Sequence, residues 1–282
     1  MITSMTGYAR KIVMGEDISY TVEIRTLNHR FLEIHPRLPE QLYSVEMEIR
    51  NLIKKHLARG RVDIRINAEA VSGEAPALNQ GALQGYLSAL GDIMEQQKLM
   101  TFDPVALLGL PGVLQVKAQG EVPEELLAGV EEALGSLSDN RRREGKLLWQ
   151  DIVERLGIIS GFAAELKELA LLQPQLIGQR LRERLAQLVA EADERVAAEI
   201  AIMADKADVS EELVRLSAHI GEFLACEKLR EPVGRRLDFL CQEMFREINT
   251  VGSKSADFHI SRLAVQVKSE LEKIREQVQN IE

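Results

Sequence analysis

The chain has 282 residues, of which 45% are hydrophobic and only 4% aromatic, and its formal net charge is −9. This length allows one large or two modest domains with a core built mainly from aliphatic side chains. The few aromatic residues argue against the RNA-binding proteins that stack bases on rows of exposed rings.

Residues 1–70 are predicted to form a small α+β domain. Apolar side chains alternate with polar ones over 18–24 and predict a half-buried strand, which a turn near Asn28 should end. A helix with an apolar stripe follows, and Gly60 is expected to end it. The clearest alternation in the chain, over 61–69, predicts another strand.

The rest of the chain is predicted to be mostly helical. The fold class is therefore α+β, with a small N-terminal α/β region followed by a mostly α C-terminal region of long helices. A linker is predicted over 71–78, and helical periodicity over 79–203 predicts a hairpin or bundle in which Pro174 separates two helices. Residues 204–282 are predicted to be a polar helical domain and the active region.

Carboxylates recur at helical spacing in this last domain. One side of a predicted helix that begins near Asp208 carries Asp208, Glu211, Glu212, Arg215 and His219. Capping of the helix accounts for Asp208. It does not account for a histidine further along the same side.

A second predicted helix carries Glu243 and Glu247 four residues apart. Such a pair can present oxygens to one divalent cation, Mg²⁺ or Mn²⁺, although a solvated helix face that pairs with Arg246 explains the pattern as well. The predicted catalytic residues are Glu243, Glu247, His219 and Asp238. The predicted metal ligands are Asp208, Glu212, Glu243 and Glu247.

The basic residues are concentrated near the N-terminus. Residues 1–70 contain 11 Lys/Arg and 9 Asp/Glu, whereas 71–282 contain 24 and 35. A locally basic groove can bind phosphate on an acidic chain. The sequence Gly-Ser-Lys-Ser at 252–255 predicts a turn that could offer N–H groups and a lysine to phosphate, although a simple corner between two helices with Ser255 or Asp257 as cap explains it as well. The predicted RNA-binding residues are Arg25, Arg30, Arg50, Lys54, Lys55, Arg59, Arg61, Arg65, Arg246 and Lys254.

The two cysteines, Cys226 and Cys241, are too few for a disulfide framework or a four-ligand zinc site. Reduced thiols are therefore expected. The N-terminus lacks the pattern of a signal peptide, and no stretch approaches the roughly 18 apolar residues that span a bilayer. We expect a cytoplasmic protein with no membrane partner.

Several motifs are distinctive enough to indicate a family. The chain resembles the YicC/YloC family of bacterial proteins from end to end. The N-terminal matches are Ser4–Arg10, Leu27–Glu33 and Arg59–Val62, and the C-terminal matches are Leu237–Leu240, Gln242–Met244, Arg246–Thr250, Ser253–Ser255 and Glu272–Glu282.

The resemblance implies an endoribonuclease that assembles as a homohexamer, takes RNA into a central channel and acts in RNA turnover with the RNA-degradation machinery. A requirement for a divalent metal fits such an enzyme. The motif at 275–282 is expected to pack between subunits.

Two other functions fit the same residues. A non-catalytic adaptor would bind RNA and deliver it to another nuclease, and its carboxylates would be salt bridges. A purely structural helical scaffold would show no salt-dependent affinity for RNA. The endoribonuclease is the preferred hypothesis.

Overall fold

A computed structural model of the chain describes residues 2–15, 18–70, 77–97, 104–115, 124–186, 202, 205–229, 231–255 and 257–282. The chain divides into two compact units, Tyr8–Leu137 and Met1–Gly7 with Ser138–Glu282. A small sheet and long helices confirm the predicted α+β class. Among the described residues, no helix combines the length and apolar character that crossing a membrane requires.

Four strands form the sheet of the first unit: β1 (Gly7–Met14), β2 (Ile18–Leu27), β3 (Leu32–Arg37) and β4 (Gly60–Ala70). Their order is β1-β2-β4-β3, with β2 antiparallel and β3 parallel to β4. The turn predicted near Asn28 separates β2 from β3, and both predicted strands are confirmed.

A helical crossover joins the parallel strands β3 and β4, as parallel pairing requires. It consists of a 3₁₀ helix (Glu40–Val45) and α1 (Glu46–His56). Ile49 and Ile53 of α1 pack against the alternating apolar side chains of β2 and β4. Side chains of opposite parity on these strands therefore lie on the other face of the sheet.

The sequence suggested that Gly60 ends the helix, and this prediction is wrong. Helix α1 ends at His56, and Gly60 is the first residue of β4 with φ = 107°. Its N–H donates to the carbonyl of Phe31 at 3.2 Å. Only glycine adopts this φ at low cost, so the residue serves the entry into the strand.

The segment between the sheet and the C-terminal helices is helical over α2 (Gln80–Gln97), α3 (Pro104–Leu108) and the 63-residue α4 (Glu124–Ala186). Two short strands, β5 (Ala77–Leu78) and β6 (Leu114–Gln115), pair with each other. Pro174 was expected to separate two helices, but the backbone of α4 remains helical through it. Most of the predicted linker, 71–76, and residues 187–201 lie outside the described residues.

The second unit contains most of α4 together with α5 (Ser210–Ala225), α6 (Gly234–Lys254) and α7 (Phe258–Val278). The apolar faces of these helices form one cluster of buried side chains, in which Phe223 stacks on Trp149. Burial follows the helical period on each helix, and the polar faces remain outside.

Both cysteines are free thiols, as predicted, and both are buried. Burial raises the pKa of the Cys226 thiol, and it raises the pKa of Cys241 to about 12. Both groups are therefore protonated and poorly nucleophilic at neutral pH.

Residues near the N-terminus pair with the segment that follows α7. The backbones of Thr3 and Glu282 exchange two hydrogen bonds of 2.8 and 3.0 Å. The buried Arg141 of α4 donates to the carbonyl of Ser4 at 2.5 Å and to the Glu282 carboxylate at 2.7 Å. One guanidinium thus holds both segments against the long helix.

Two glycines of α4 test this close approach. A Cβ on Gly145 would lie 2.7 Å from backbone atoms of Ile2 and Thr3, whereas a Cβ on Gly157 would meet nothing within 4 Å. We expect Gly145→Ala to lower the free energy of unfolding by about 1–3 kcal/mol. We expect Gly157→Ala to raise it by about 0.5–1 kcal/mol.

Denaturant melts of the two variants and the wild type measure both effects. Equal stability of the two variants would contradict the close packing of the N-terminal segment on α4.

Candidate functional site

Three of the predicted side chains converge where α5 packs on α6. His219 comes from α5, and Glu243 and Glu247 come from α6. One imidazole nitrogen and one oxygen of each carboxylate all lie within 4.8 Å of one another. We call these three residues the acidic cluster.

The packing of the two helices explains this convergence. Glu243 and Glu247 are four residues apart and share one side of α6. The neighbouring Leu240 and Met244 are buried in the core. On α5, His219 stands beside the buried Ile220 in the same way. Burial of the two apolar stripes therefore brings the polar edges of the helices together.

The carboxylates of the acidic cluster are only loosely neutralised. The Glu247 side chain is 6% exposed, and its nearest cation among the described residues is Arg215 at 3.9 Å. Glu243 is half-buried, and Arg246 lies 3.8 Å from it. Carboxylates held this far from water normally require closer partners. The cluster therefore retains unbalanced negative charge.

This arrangement suits a divalent cation. Ligands bound to one ion at 2.0–2.2 Å lie at most about 4.4 Å apart, so small side-chain rotations would close the site. The Nδ1 atom of His219 is buried and has no hydrogen-bond partner among the described residues. Two carboxylates suit Mg²⁺ or Mn²⁺, and the imidazole shifts the preference towards Mn²⁺.

Two predicted metal ligands belong to a different cluster. The buried Glu212 pairs with Lys254 at 2.8 Å, and the same ammonium group donates to the backbone carbonyl of Asp208 at 2.9 Å. The Asp208 carboxylate accepts hydrogen bonds from the side chain and the N–H of Ser210. The Ser210 hydroxyl, and then its N–H, hold the pKa of Asp208 below its usual value.

Asp238, the fourth predicted catalytic residue, faces α7 instead of α5. Its carboxylate accepts a hydrogen bond of 2.8 Å from Gln242 and lies 3.5 Å from Arg275. The three predicted catalytic residues other than Asp238 are the members of the acidic cluster.

The Gly-Ser-Lys-Ser sequence does not form the predicted turn. Residues 252–254 are the last residues of α6, and Ser255 is its C-cap. Their N–H groups point back along the helix to carbonyls four residues earlier, so they do not face a phosphate. Asp257 then caps α7 by accepting from the N–H groups of His259 and Ile260.

The basic residues predicted in the first unit do not form one surface. Arg25, Arg61 and Arg65 lie on the face of the sheet opposite the core, whereas Lys54 and Lys55 lie on α1. Because α1 covers the other face, the predicted RNA-binding residues are divided between two sides of the sheet. Binding of RNA by these residues stays a prediction.

Several of these cations have protein partners. Arg50 is held by Glu46 at 2.7 Å, and Arg61 by Asp63 at 3.1 Å. Arg30 lies over the ring of Phe31 at 5.2 Å. Arg59 is half-buried.

Arg25 and Arg65 line a groove of about 340 Å³ that also contains Glu23 and Asp63. Arginines and carboxylates alternate across the strands of this groove. Its local field is therefore weaker than the count of basic residues suggested.

Arg215 was not among the predicted site residues. It is exposed, it pairs with Glu211 one turn earlier, and it is the cation nearest to Glu247. Its position four residues before His219 was the available signal, since that spacing places both side chains on one side of α5.

The chain is similar throughout to proteins described as RNA-cleaving enzymes. Residues 2–150 match the family model "Endoribonuclease YicC-like, N-terminal region", and residues 166–282 match "Endoribonuclease YicC-like, C-terminal". The chain is 36% identical to "Probable endoribonuclease YicC" of Clostridioides difficile (strain 630) and 34% identical to the protein of that name from Haemophilus influenzae (strain ATCC 51907 / DSM 11121 / KW20 / Rd). Both alignments cover 100% of this chain and of the relative.

The Glu212–Lys254 pair gives a test of stability beside the acidic cluster. We expect Lys254→Met to lower the free energy of unfolding by about 1–3 kcal/mol, because Glu212 is 9% exposed and would lose its cation. Adding Glu212→Gln should restore part of the loss.

Urea denaturation of the single and double variants measures the coupling. Lys206→Met is the matched control, because Lys206 is an exposed lysine and surface changes of this kind stay within about 0.5 kcal/mol. If Lys254→Met is no less stable than this control, the pair is not structural.

Proposed function

Because the chain belongs to the YicC-like endoribonuclease family, we propose that it cleaves RNA phosphodiester bonds with a divalent cation held by His219, Glu243 and Glu247. The observation that carries the proposal is the convergence of these three side chains from two helices. A metal-dependent nuclease needs side chains that can hold the ion and leave a coordination position open for water or substrate.

The chemistry follows from the charge of the site. A bound divalent cation would supply a water of lowered pKa and would neutralise charge on the phosphoryl oxygens. Glu243 and Glu247 would hold the ion, and His219 would complete the ligand set. A cytoplasmic enzyme of this kind would use Mn²⁺ or Mg²⁺.

Two cations beside the acidic cluster are placed where they could orient an RNA strand. Arg215 and Arg246 lie 3.9 and 3.8 Å from the two carboxylates, and their side chains are 57% and 76% exposed. An exposed guanidinium can donate two parallel hydrogen bonds to a phosphate. We infer that the two arginines position the phosphodiester above the carboxylates.

The other predicted cofactor and partner relations stay predictions. Lys254 is bound to Glu212, so its binding of RNA would require that pair to open. Assembly as a homohexamer and association with the RNA-degradation machinery are implied by the family resemblance, and light scattering of the purified protein would test the first.

A non-catalytic RNA adaptor is the alternative. In an adaptor the carboxylates would serve as salt bridges. Two of the predicted site residues do so, since Glu212 pairs with Lys254 and Asp238 contacts Arg275. An adaptor would bind RNA with strong salt dependence but would leave it intact.

Substitution of single ligands should weaken ion binding. We expect wild-type protein to bind one Mn²⁺ per chain at this site, and we expect His219→Ala and Glu247→Gln to weaken that binding by roughly 10-fold or more, because each variant loses a ligand. Titration of free Mn²⁺ followed by electron paramagnetic resonance measures the affinity without RNA.

Glu276→Gln is the matched control for the binding measurement, because Glu276 is an exposed carboxylate of α7. Equal Mn²⁺ affinity in His219→Ala, Glu247→Gln and this control would exclude the acidic cluster as the metal site.

Cleavage gives the second test. We expect the Glu243→Ala/Glu247→Ala variant to cut labelled RNA at least about 10²-fold more slowly than the wild type, and we expect EDTA to stop the wild-type enzyme. Gel analysis with rigorously purified proteins measures both rates, and circular dichroism checks the fold.

Intact RNA after incubation with wild-type protein and Mn²⁺ would favour the adaptor. If the folded double variant cleaves RNA at the wild-type rate, the acidic cluster takes no part in the mechanism.

A further inference from the structure

A polar pocket lies on the side of α6 that faces α7. It has a volume of about 460 Å³ and is lined by Gln242, Phe245, Arg246, Asn249, Glu272 and Arg275. None of these residues belongs to the acidic cluster. The pocket therefore needs an explanation of its own.

The pocket adjoins the acidic cluster through Arg246. This side chain lines the pocket, and its guanidinium is 3.8 Å from the Glu243 carboxylate. Arg246 thus stands between the proposed metal ligands and the pocket. A phosphate bound by Arg246 would have its own nucleoside, or the next one, within reach of the pocket.

The polar groups of the pocket are only partly used. The Gln242 amide nitrogen donates to Asp238 at 2.8 Å, which orients the amide and leaves its carbonyl oxygen as an acceptor. The exposed Asn249 amide makes no side-chain hydrogen bond with another residue in the part of the chain that the structure describes. Together these amides offer donors and acceptors to a ligand, and the Gln242 amide is held in one orientation.

The charges of the pocket favour a neutral group over a bare anion. Arg275 lies 3.5 Å from Asp238 and 4.0 Å from Glu272, so two carboxylates already face its guanidinium. A second phosphate in the pocket would meet the Glu272 carboxylate. A nucleobase is neutral, it is flat, and its edge carries both donors and acceptors.

We propose that this pocket binds the nucleobase of a nucleotide adjoining the cleaved phosphodiester, with Gln242 and Asn249 hydrogen-bonded to the base edge. The inference rests on the proposed cleavage of RNA. Single-stranded RNA is read in this way because its unstacked bases expose their edges to side-chain amides. The bases would then contribute to the choice of cleavage position.

Binding in EDTA separates recognition from cleavage. Fluorescence anisotropy with short single-stranded homopolymers of A, C and U measures affinity and base preference. We expect Gln242→Met and Asn249→Ala each to weaken binding of the preferred homopolymer roughly three- to tenfold and to reduce the preference. Gln266→Ala is the matched control, because Gln266 is an exposed amide on α7 outside the pocket.

Cleavage in Mn²⁺ gives an independent readout. Loss of a base contact should raise KM more than it lowers kcat, and it should broaden the set of cleaved positions. Unchanged affinity and base preference in both variants would overturn the proposal, as would a fall in kcat with no change in affinity or cleavage positions.

The two proposals fail in different ways. If the Glu243→Ala/Glu247→Ala variant cuts RNA like the wild type, the proposed metal-assisted function fails. If that variant is inactive while the pocket variants bind and cut every homopolymer as the wild type does, only the base-binding inference fails.

Discussion

The packing of α5 on α6 is the constraint on which the candidate site depends. Apolar stripes on both helices must be buried, and their burial fixes which polar side chains meet at the edge of the contact. Lys254 meets Glu212 at one end of this edge, and His219 meets Glu243 and Glu247 further along. The helices therefore run antiparallel, and a helical rotation of either one would separate the acidic cluster.

The acidic cluster differs from Glu270, a closely paired carboxylate of the same unit. Glu270 lies 2.8 Å from Arg155 and 2.6 Å from Lys273, and the hydrogen bond from Lys273, followed by that from Arg155, lowers its pKa. Glu243 and Glu247 have cations no closer than 3.8 Å among the described residues. Glu270 is therefore paired more closely than either carboxylate of the acidic cluster. The looser pairing at the cluster leaves negative charge that the proposed cation would offset.

The sequence predicted the local features and missed those that depend on packing. Spacing alone placed Glu243 and Glu247 on one side of α6, since the helical period decides it. It could not assign Glu212 to Lys254, 42 positions away, because no local pattern reports which helices pack together. The same limit applies to Asp238, which faces α7. At Gly252, small residues suggested a turn, but the apolar stripe ending at Val251 keeps the segment helical.

Helix α6 supports several contacts because its sides have different environments. One side is buried in the core, the edge towards α5 carries the acidic cluster, and the edge towards α7 carries Gln242 and Asp238. Arg246 occupies the exposed surface between the two edges. A long side chain at this position can contact a ligand on either side without moving the backbone, because the core holds the helix on its third side. The separation between the two edges is then set by one rigid helix.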